Sequence, residues 1–185
     1  MSRIILISGG IRSGKSTFAE SLFQGHDDVL YIATAKRTDG EMDERITRHR
    51  ARRNSRWLTH EGFCGLGKVV RTTACKFILL DCCSFWFANL LFHRAGVDLD
   101  GNNITPVTLE KALQIVRQEI KALIDAVRMK DKTLAIVTNE VGWGLVSDHP
   151  LGRLFCDLTG LANQYTAQLA DEVYLMSCGL PLKLK

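Results

Sequence analysis

The sequence holds no uninterrupted apolar run long enough to cross a bilayer. Its greasiest tract, "FILLDCCSFWFANLLF" at residues 77–92, is broken by Asp81 and falls short of the ~20 residues a spanning helix needs. A disulfide framework is missing as well: the six cysteines, at positions 64, 75, 82, 83, 156 and 178, form no C-x-x-C pair and no metal-ligand spacing with the histidines. Such scatter suits reduced thiols in a cytoplasmic protein, with Cys82 and Cys83 as small buried residues beside a strand end. Proline is scarce, at three, and no repeat, low-complexity tract or linker interrupts the chain. The amino terminus lacks the form of an export signal, because its apolar stretch runs straight into a glycine turn. Charge of one sign is not in large excess: a net +4 is compatible with small polyanionic ligands and does not indicate nucleic acid. These absences leave one expected soluble domain over residues 1–185, with 46% hydrophobic residues and length enough to bury a core without staples.

What the chain does have stands at its start. "GGIRSGKS", residues 9–16, follows the apolar run "RIILIS" and fits G-x-x-x-x-G-K-S/T, with Gly9, Gly14, Lys15 and Ser16 in the fixed places. A triphosphate is well solvated by water, so a protein that binds it must replace that water with many donors held close together. Glycines let successive N–H groups turn inward and let the chain approach the phosphate oxygens. A helix beginning near Ser13 adds its positive end. Gly9, Gly10, Ile11, Arg12, Ser13, Gly14, Lys15, Ser16 and Thr17 are therefore the expected nucleotide-binding residues. Lys15 would reach the β and γ oxygens, and the Ser16 hydroxyl would ligate Mg2+. The competing reading, a strand-to-helix turn that binds nothing, is weakened because "IILIS" precedes and "GKSTFAESLF" follows in the required order.

Short apolar runs alternate with longer helical patterns. Strands are expected at residues 3–8, 29–34, 77–81, 134–138 and 172–177, with intervals long enough for crossover helices, so consecutive strands can lie parallel. In residues 105–130, Leu109, Leu113, Val116, Ile120, Leu123 and Val127 alternate spacings of four and three, which places one apolar stripe of a helix against the sheet. Thr105 and Pro106 suit its cap and first turn. The last residues, "GLPLKLK", suggest a turn at Gly179 and Pro181 and an antiparallel edge strand with Lys183 and Lys185 facing water. The expected fold class is α/β: a P-loop NTPase with a RecA-like, mostly parallel sheet, helices on both faces and that antiparallel strand at the edge.

In such a fold, ligands collect at the carboxyl ends of the parallel strands. Asp81 ends "FILLD" as an acid presented to magnesium would, and Glu140, just past "LAIVTNE", could serve the same mouth; either could instead cap the helix that follows it. Residues 40–56, "GEMDERITRHRARRNSR", are the other unusual tract. On a helix, Met42, Ile46 and His49 share a face, and Arg45, Arg48 and Arg52 form a neighbouring basic stripe. His49 then either completes a buried stripe or, as a neutral imidazole beside guanidinium groups, attacks phosphorus. Trp86 suits core packing better than a ligand pocket, while Trp143 could offer an aromatic face to a large flat ligand.

Several segments together resemble one family, the bifunctional adenosylcobinamide kinase and adenosylcobinamide-phosphate guanylyltransferase of cobalamin biosynthesis. They are "ISGGIRSGKSTFAE", "VLYIATA", "DERITRHRARR", "ILLDCCSFWFANLL", "VTNEVGWGLV" and "ADEVYLMSCGLPLKLK", in family order and spanning nearly the whole chain. The phosphate loop alone is shared by many enzymes; its combination with R-I-x-x-H and N-E-V-G-x-G is far more specific. The resemblance implies two reactions: phosphorylation of the aminopropanol hydroxyl of adenosylcobinamide by ATP or GTP, then transfer of GMP from GTP to that phosphate, releasing pyrophosphate. It implies a covalent guanylyl-histidine at His49, with Lys15 also catalytic, Mg2+ on Ser16 and Asp81, and Glu140, Arg45 and Glu61 as further site candidates. It also implies a corrinoid substrate, no nucleic-acid partner and a homo-oligomer, with a trimer as one form. The rivals are a small-molecule kinase that uses the phosphate loop only, and a nucleotide-dependent switch or motor module.

Overall fold

The computed structural model describes residues 1–35, 54–105 and 107–185. In chain order the elements are β1 (Arg3–Gly9), α1 (Lys15–Ser21), β2 (Val29–Ala33), β3 (Leu58–Glu61), α2 (Leu66–Thr72), β4 (Phe77–Asp81), α3 (Cys83–Leu90), α4 (Thr108–Met129), β5 (Thr133–Val137), α5 (Pro150–Leu169), β6 (Glu172–Ser177) and β7 (Leu180–Lys183). A single π turn, Leu91–Ala95, extends α3, and a 3-10 turn, Val141–Trp143, follows β5.

The strands form one sheet in the order β3-β2-β4-β5-β1-β6-β7. Six run parallel, and only β7 is antiparallel, paired with β6. This is the expected RecA-like arrangement, with β5 inserted between the strand that leads into the glycine loop and the strand that ends in Asp81. The central strands β1, β2, β4 and β5 are largely apolar because both their faces are covered. Successive side chains alternate between them. Ile4, Leu6, Ile32, Ile78, Leu80, Leu134 and Ile136 pack with α2, α3, α4 and α5. Ile5, Ile7, Tyr31, Leu79 and Val137 face the other way, onto Ala19 and Phe23 of the α1 region.

The α4 stripe falls where its spacing predicts: Val116, Ile120, Leu123 and Val127 are buried, and Leu109 and Leu113 pack partly buried against the same core. Its start differs. The helix begins at Thr108 with Val107 at the N-cap, and Pro106 lies outside the described residues. The Thr105 N–H donates to the Thr108 hydroxyl at 2.8 Å, so Thr105 is capped by the first turn rather than capping it.

Two other expectations are corrected, and one strand is added. β3 carries no sequence-level expectation, since "LTHE" is short and mostly exposed; parallel pairing to β2 makes it a strand. Pro181 is not in the turn but inside β7, opposite Met176, where an edge strand tolerates its missing N–H. Lys185 does not simply face water: its ammonium takes the Ala170 carbonyl at 2.6 Å and reaches the Ala167 and Gln168 carbonyls at the end of α5. All six cysteines are free thiols.

Candidate active site

The register of the parallel strands brings the chemistry to one edge of the sheet. Ile7 lies beside Val137, Val137 beside Asp81, Asp81 beside Ala33 and Ala33 beside Glu61. The carboxyl ends of β1, β5, β4, β2 and β3 therefore stand in a row, with the 9–16 loop above β1.

The loop turns sharply before α1. Gly9 is so closely packed that a Cβ there would meet the Met176 carbonyl oxygen at 2.6 Å and the Ser13 hydroxyl at 2.8 Å, which is why a side chain is excluded. Helix α1 starts at Lys15, two residues later than expected, with Gly14 as its N-cap. Ile11 and Arg12 project outward, and Ile11 is 88% exposed.

Lys15 is buried although charged. Its ammonium donates to the Gly10 carbonyl at 2.5 Å and to the Ser13 hydroxyl at 3.5 Å. Burial pulls its pKa below the ordinary lysine value, and the nearby Asp81 and Glu140 carboxylates oppose that pull. A buried cation thus lies within electrostatic reach of two acids, Asp81 at the end of β4 and Glu140 just past β5. Asp81 is steadied by the buried Tyr31, whose hydroxyl donates to Oδ2 at 2.9 Å. Glu140 is held from two sides: its N–H donates to the Gly9 carbonyl at 3.1 Å, and its Oε1 accepts from the Ser8 hydroxyl at 2.6 Å. Neither carboxylate caps a helix: α3 has Cys82 at its N-cap, and Glu140, at the N-cap position of the short 3-10 turn, makes no side-chain capping bond there.

A polar relay backs this edge. The Thr138 hydroxyl donates to Asn163 Oδ1 at 2.7 Å, Asn163 Nδ2 donates to the Asn139 carbonyl at 3.1 Å, and Asn139 Nδ2 donates to the Ser84 hydroxyl at 2.9 Å. It ties the segment leading to Glu140 to α5 and α3. The thiols of Cys82 and Cys83 are buried, and burial pushes Cys82 up to about 12 and Cys83 well above the usual range, so neither is a nucleophile at neutral pH.

Of the sequence-predicted site residues, Gly9 through Thr17, Asp81 and Glu140 come together. Glu61 stands on the same edge, exposed at the end of β3. His49 and Arg45 lie outside the described residues. Trp86 is core, its indole N–H donating to the Phe63 carbonyl at 2.7 Å; Trp143 is 66% exposed beyond Glu140. Sequence reasoning missed Ser8, Tyr31, Thr138 and Asn163. Asn163, which lies on the buried stripe of α5 between Leu158 and Thr166, was the most legible of these.

A buried lysine after a glycine loop, two acids at neighbouring strand ends and a parallel sheet of this order define a P-loop nucleotide-binding α/β enzyme. The fold agrees with a solved structure of a KaiC-like protein from Pyrococcus horikoshii OT3, with a TM-score of 0.51 over 94% of this chain and 70% of the other, at 12% identity. Residues 5–184 match the CobU family, described as cobinamide kinase / cobinamide phosphate guanyltransferase, and the chain belongs to that family. The bifunctional adenosylcobalamin biosynthesis protein CobU of Escherichia coli K12 is 38% identical over 98% of this chain and 99% of its own length. The corresponding CobP of Pseudomonas aeruginosa is 36% identical over 97% of this chain and 96% of its own.

Proposed function

We propose that this protein phosphorylates adenosylcobinamide with a nucleoside triphosphate and then transfers GMP from GTP to the product, yielding adenosylcobinamide-GDP and pyrophosphate. The observation that carries the reading is Lys15, buried at the mouth of the glycine loop, bonded to Gly10 and Ser13 and within electrostatic reach of Asp81 and Glu140. A buried ammonium in that position is suited to the charge that builds on β and γ oxygens during either transfer.

In the kinase step the γ-phosphoryl group leaves the nucleotide for the acceptor hydroxyl. Its loose transition state asks for positioning and charge neutralisation. The loop amides and Lys15 would hold the phosphates, and Glu140, bonded to Ser8, would orient the acceptor hydroxyl and take its proton. Magnesium fits the donors present: the Ser16 hydroxyl and the Asp81 carboxylate are hard oxygen ligands, and Tyr31 already orients Asp81. Among the described residues no group of three or more metal-ligating side chains exists, so the nucleotide phosphates would complete the set, as Mg2+ prefers. When bound, the ion neutralises phosphate charge.

In the second step an imidazole nitrogen of His49 attacks the α-phosphorus of GTP. The P–N bond forms as the bond to the β-phosphate oxygen breaks, and pyrophosphate leaves. An oxygen of the cobinamide phosphate then attacks the same phosphorus, the P–N bond breaks and the imidazole is restored. Arg45 would neutralise the phosphate near His49, and Glu61 would border the site from β3. Assembly into a homo-oligomer, a trimer as one form, is supported by the resemblance and by the apolar Trp143, Leu145 and Val146, which one chain leaves exposed.

Incubation with GTP labelled at the α-phosphate tests the mechanism. The expected result is an acid-labile, base-stable protein adduct that cobinamide phosphate discharges and His49→Ala abolishes. Absence of label from the wild-type protein under turnover conditions defeats the guanylyl-histidine.

A further inference from the structure

The glycine loop does not hold its shape alone. Strand β1 ends beside β6, with Gly9 opposite Met176, and one residue past β6 the chain reverses through Cys178 and Gly179 into β7. Both turn residues have positive φ, 52° and 83°, the signature of a two-residue hairpin turn matched to strand twist. This turn leans on the loop. The Gly179 N–H donates to the Ser13 carbonyl at 3.1 Å, and a Cβ on Gly14 would lie 3.2 Å from the Gly179 Cα. In a planar trans peptide the N–H points opposite to the C=O. Drawing the Ser13 carbonyl toward the hairpin therefore turns the Gly14 N–H away from it. That N–H belongs to the residue that caps α1, just ahead of Lys15. The Ser13 hydroxyl is in turn a partner of the Lys15 ammonium.

We propose that Gly179, about 165 residues downstream of the loop, is a positioning residue for nucleotide binding, fixing the Ser13–Gly14 peptide through its own N–H. The inference rests on the reading that the 9–16 loop binds the triphosphate. A side chain at 179 meets open space, with nothing within 4 Å of a built Cβ, so any effect of substitution acts through backbone conformation and not through a clash. That separates the role from simple packing. Valine strongly disfavours the left-handed region, whereas asparagine tolerates it and keeps the N–H.

The test is calorimetric binding of a non-hydrolysable GTP analogue to full-length wild type, Gly179→Val, Gly179→Asn and Lys15→Ala, with kinase KM and kcat and thermal midpoints alongside. Gly179→Val is expected to raise Kd and nucleotide KM about tenfold, the scale of one left-handed penalty, while kcat changes less than about threefold. Gly179→Asn should return Kd to within about threefold of wild type. Should the valine variant fail to fold, Gly179→Ala carries the same comparison, with a smaller increase. Wild-type affinity in the folded valine or alanine variant overturns the proposal, as does an asparagine variant as weak as the valine one. If Lys15→Ala also binds normally, the phosphate-loop reading itself has failed; if Lys15→Ala loses binding and the Gly179 variants do not, only the role of Gly179 has.

Discussion

Lys15 donates to two groups of its own loop, Gly10 and Ser13, and stands near two carboxylates. Charge-assisted hydrogen bonds contribute about 1.5–3 kcal/mol each, so Lys15→Ala should weaken nucleotide binding roughly ten- to a hundredfold for every ammonium–phosphate bond it removes, and depress both reactions. Equilibrium binding and turnover measured on the same preparation check this. Tyr31 makes a gentler case. Phenylalanine there keeps the buried ring and deletes the hydrogen bond to Asp81, a change of about 0.5–1.5 kcal/mol. Tyr31→Phe should raise the Mg2+ concentration needed for half-maximal nucleotide binding by roughly two- to tenfold and leave the thermal midpoint nearly unchanged. At the far side of the molecule, Glu172 is held at about 2, first by its hydrogen bond from Arg3. A carboxylate lowered on folding adds stability that is fully present above its ordinary value of 4.5 and is lost as pH falls toward 2. Glu172→Gln should flatten the dependence of chemical stability on pH between those values, as read from denaturant midpoints.

Among the elements, α3 and α4 show how core and site are linked. α3 begins two residues after Asp81 and fills the space beneath the edge with Trp86 and Phe87, both fully buried. Trp86→Phe should cost about 1–3 kcal/mol, mostly by leaving the Phe63 carbonyl without its indole donor, and Trp86→Ala about 3–5 kcal/mol. Leu123, fully buried on α4, should cost about 2–5 kcal/mol as alanine without changing nucleotide affinity in the folded fraction. Denaturant unfolding of the three variants ranks them. At this scale the sequence was legible where periodicity was strong. The α4 stripe and five of the seven strands follow from spacing and apolar runs, and β7 from its turn. Strand β3 did not, because "LTHE" has no apolar identity of its own and becomes extended only by pairing with β2. Neither did the start of α4: Thr105 and Pro106 suggested a cap, but local hydrogen bonding between Thr105 and Thr108 sets the boundary two residues later.

For the molecule as a whole, one parallel sheet gathers residues from across the chain, Ser8 to Gly179, into a single edge. Light scattering is expected to find an oligomer, since Trp143, Leu145 and Val146 remain exposed on one chain; a replacement of Leu145 by Asp should shift the protein toward monomer if that surface is covered by a second copy. The linear string sufficed for the phosphate-loop motif, six of the seven strands, the long α4 stripe, the position of Asp81 and Glu140 at or just past strand ends, and the family, because each rests on local spacing or on an apolar periodicity that neighbouring residues display. It took the folded chain to show that Tyr31 steadies Asp81, that Ser8 holds Glu140, that Asn163 braces the segment before it and that a hairpin near the carboxyl end supports a loop near the amino end. A hydrogen bond between residues 50, 132 or 166 positions apart leaves no periodic trace; it exists only once strand order and register have placed the two groups within about 3 Å of each other.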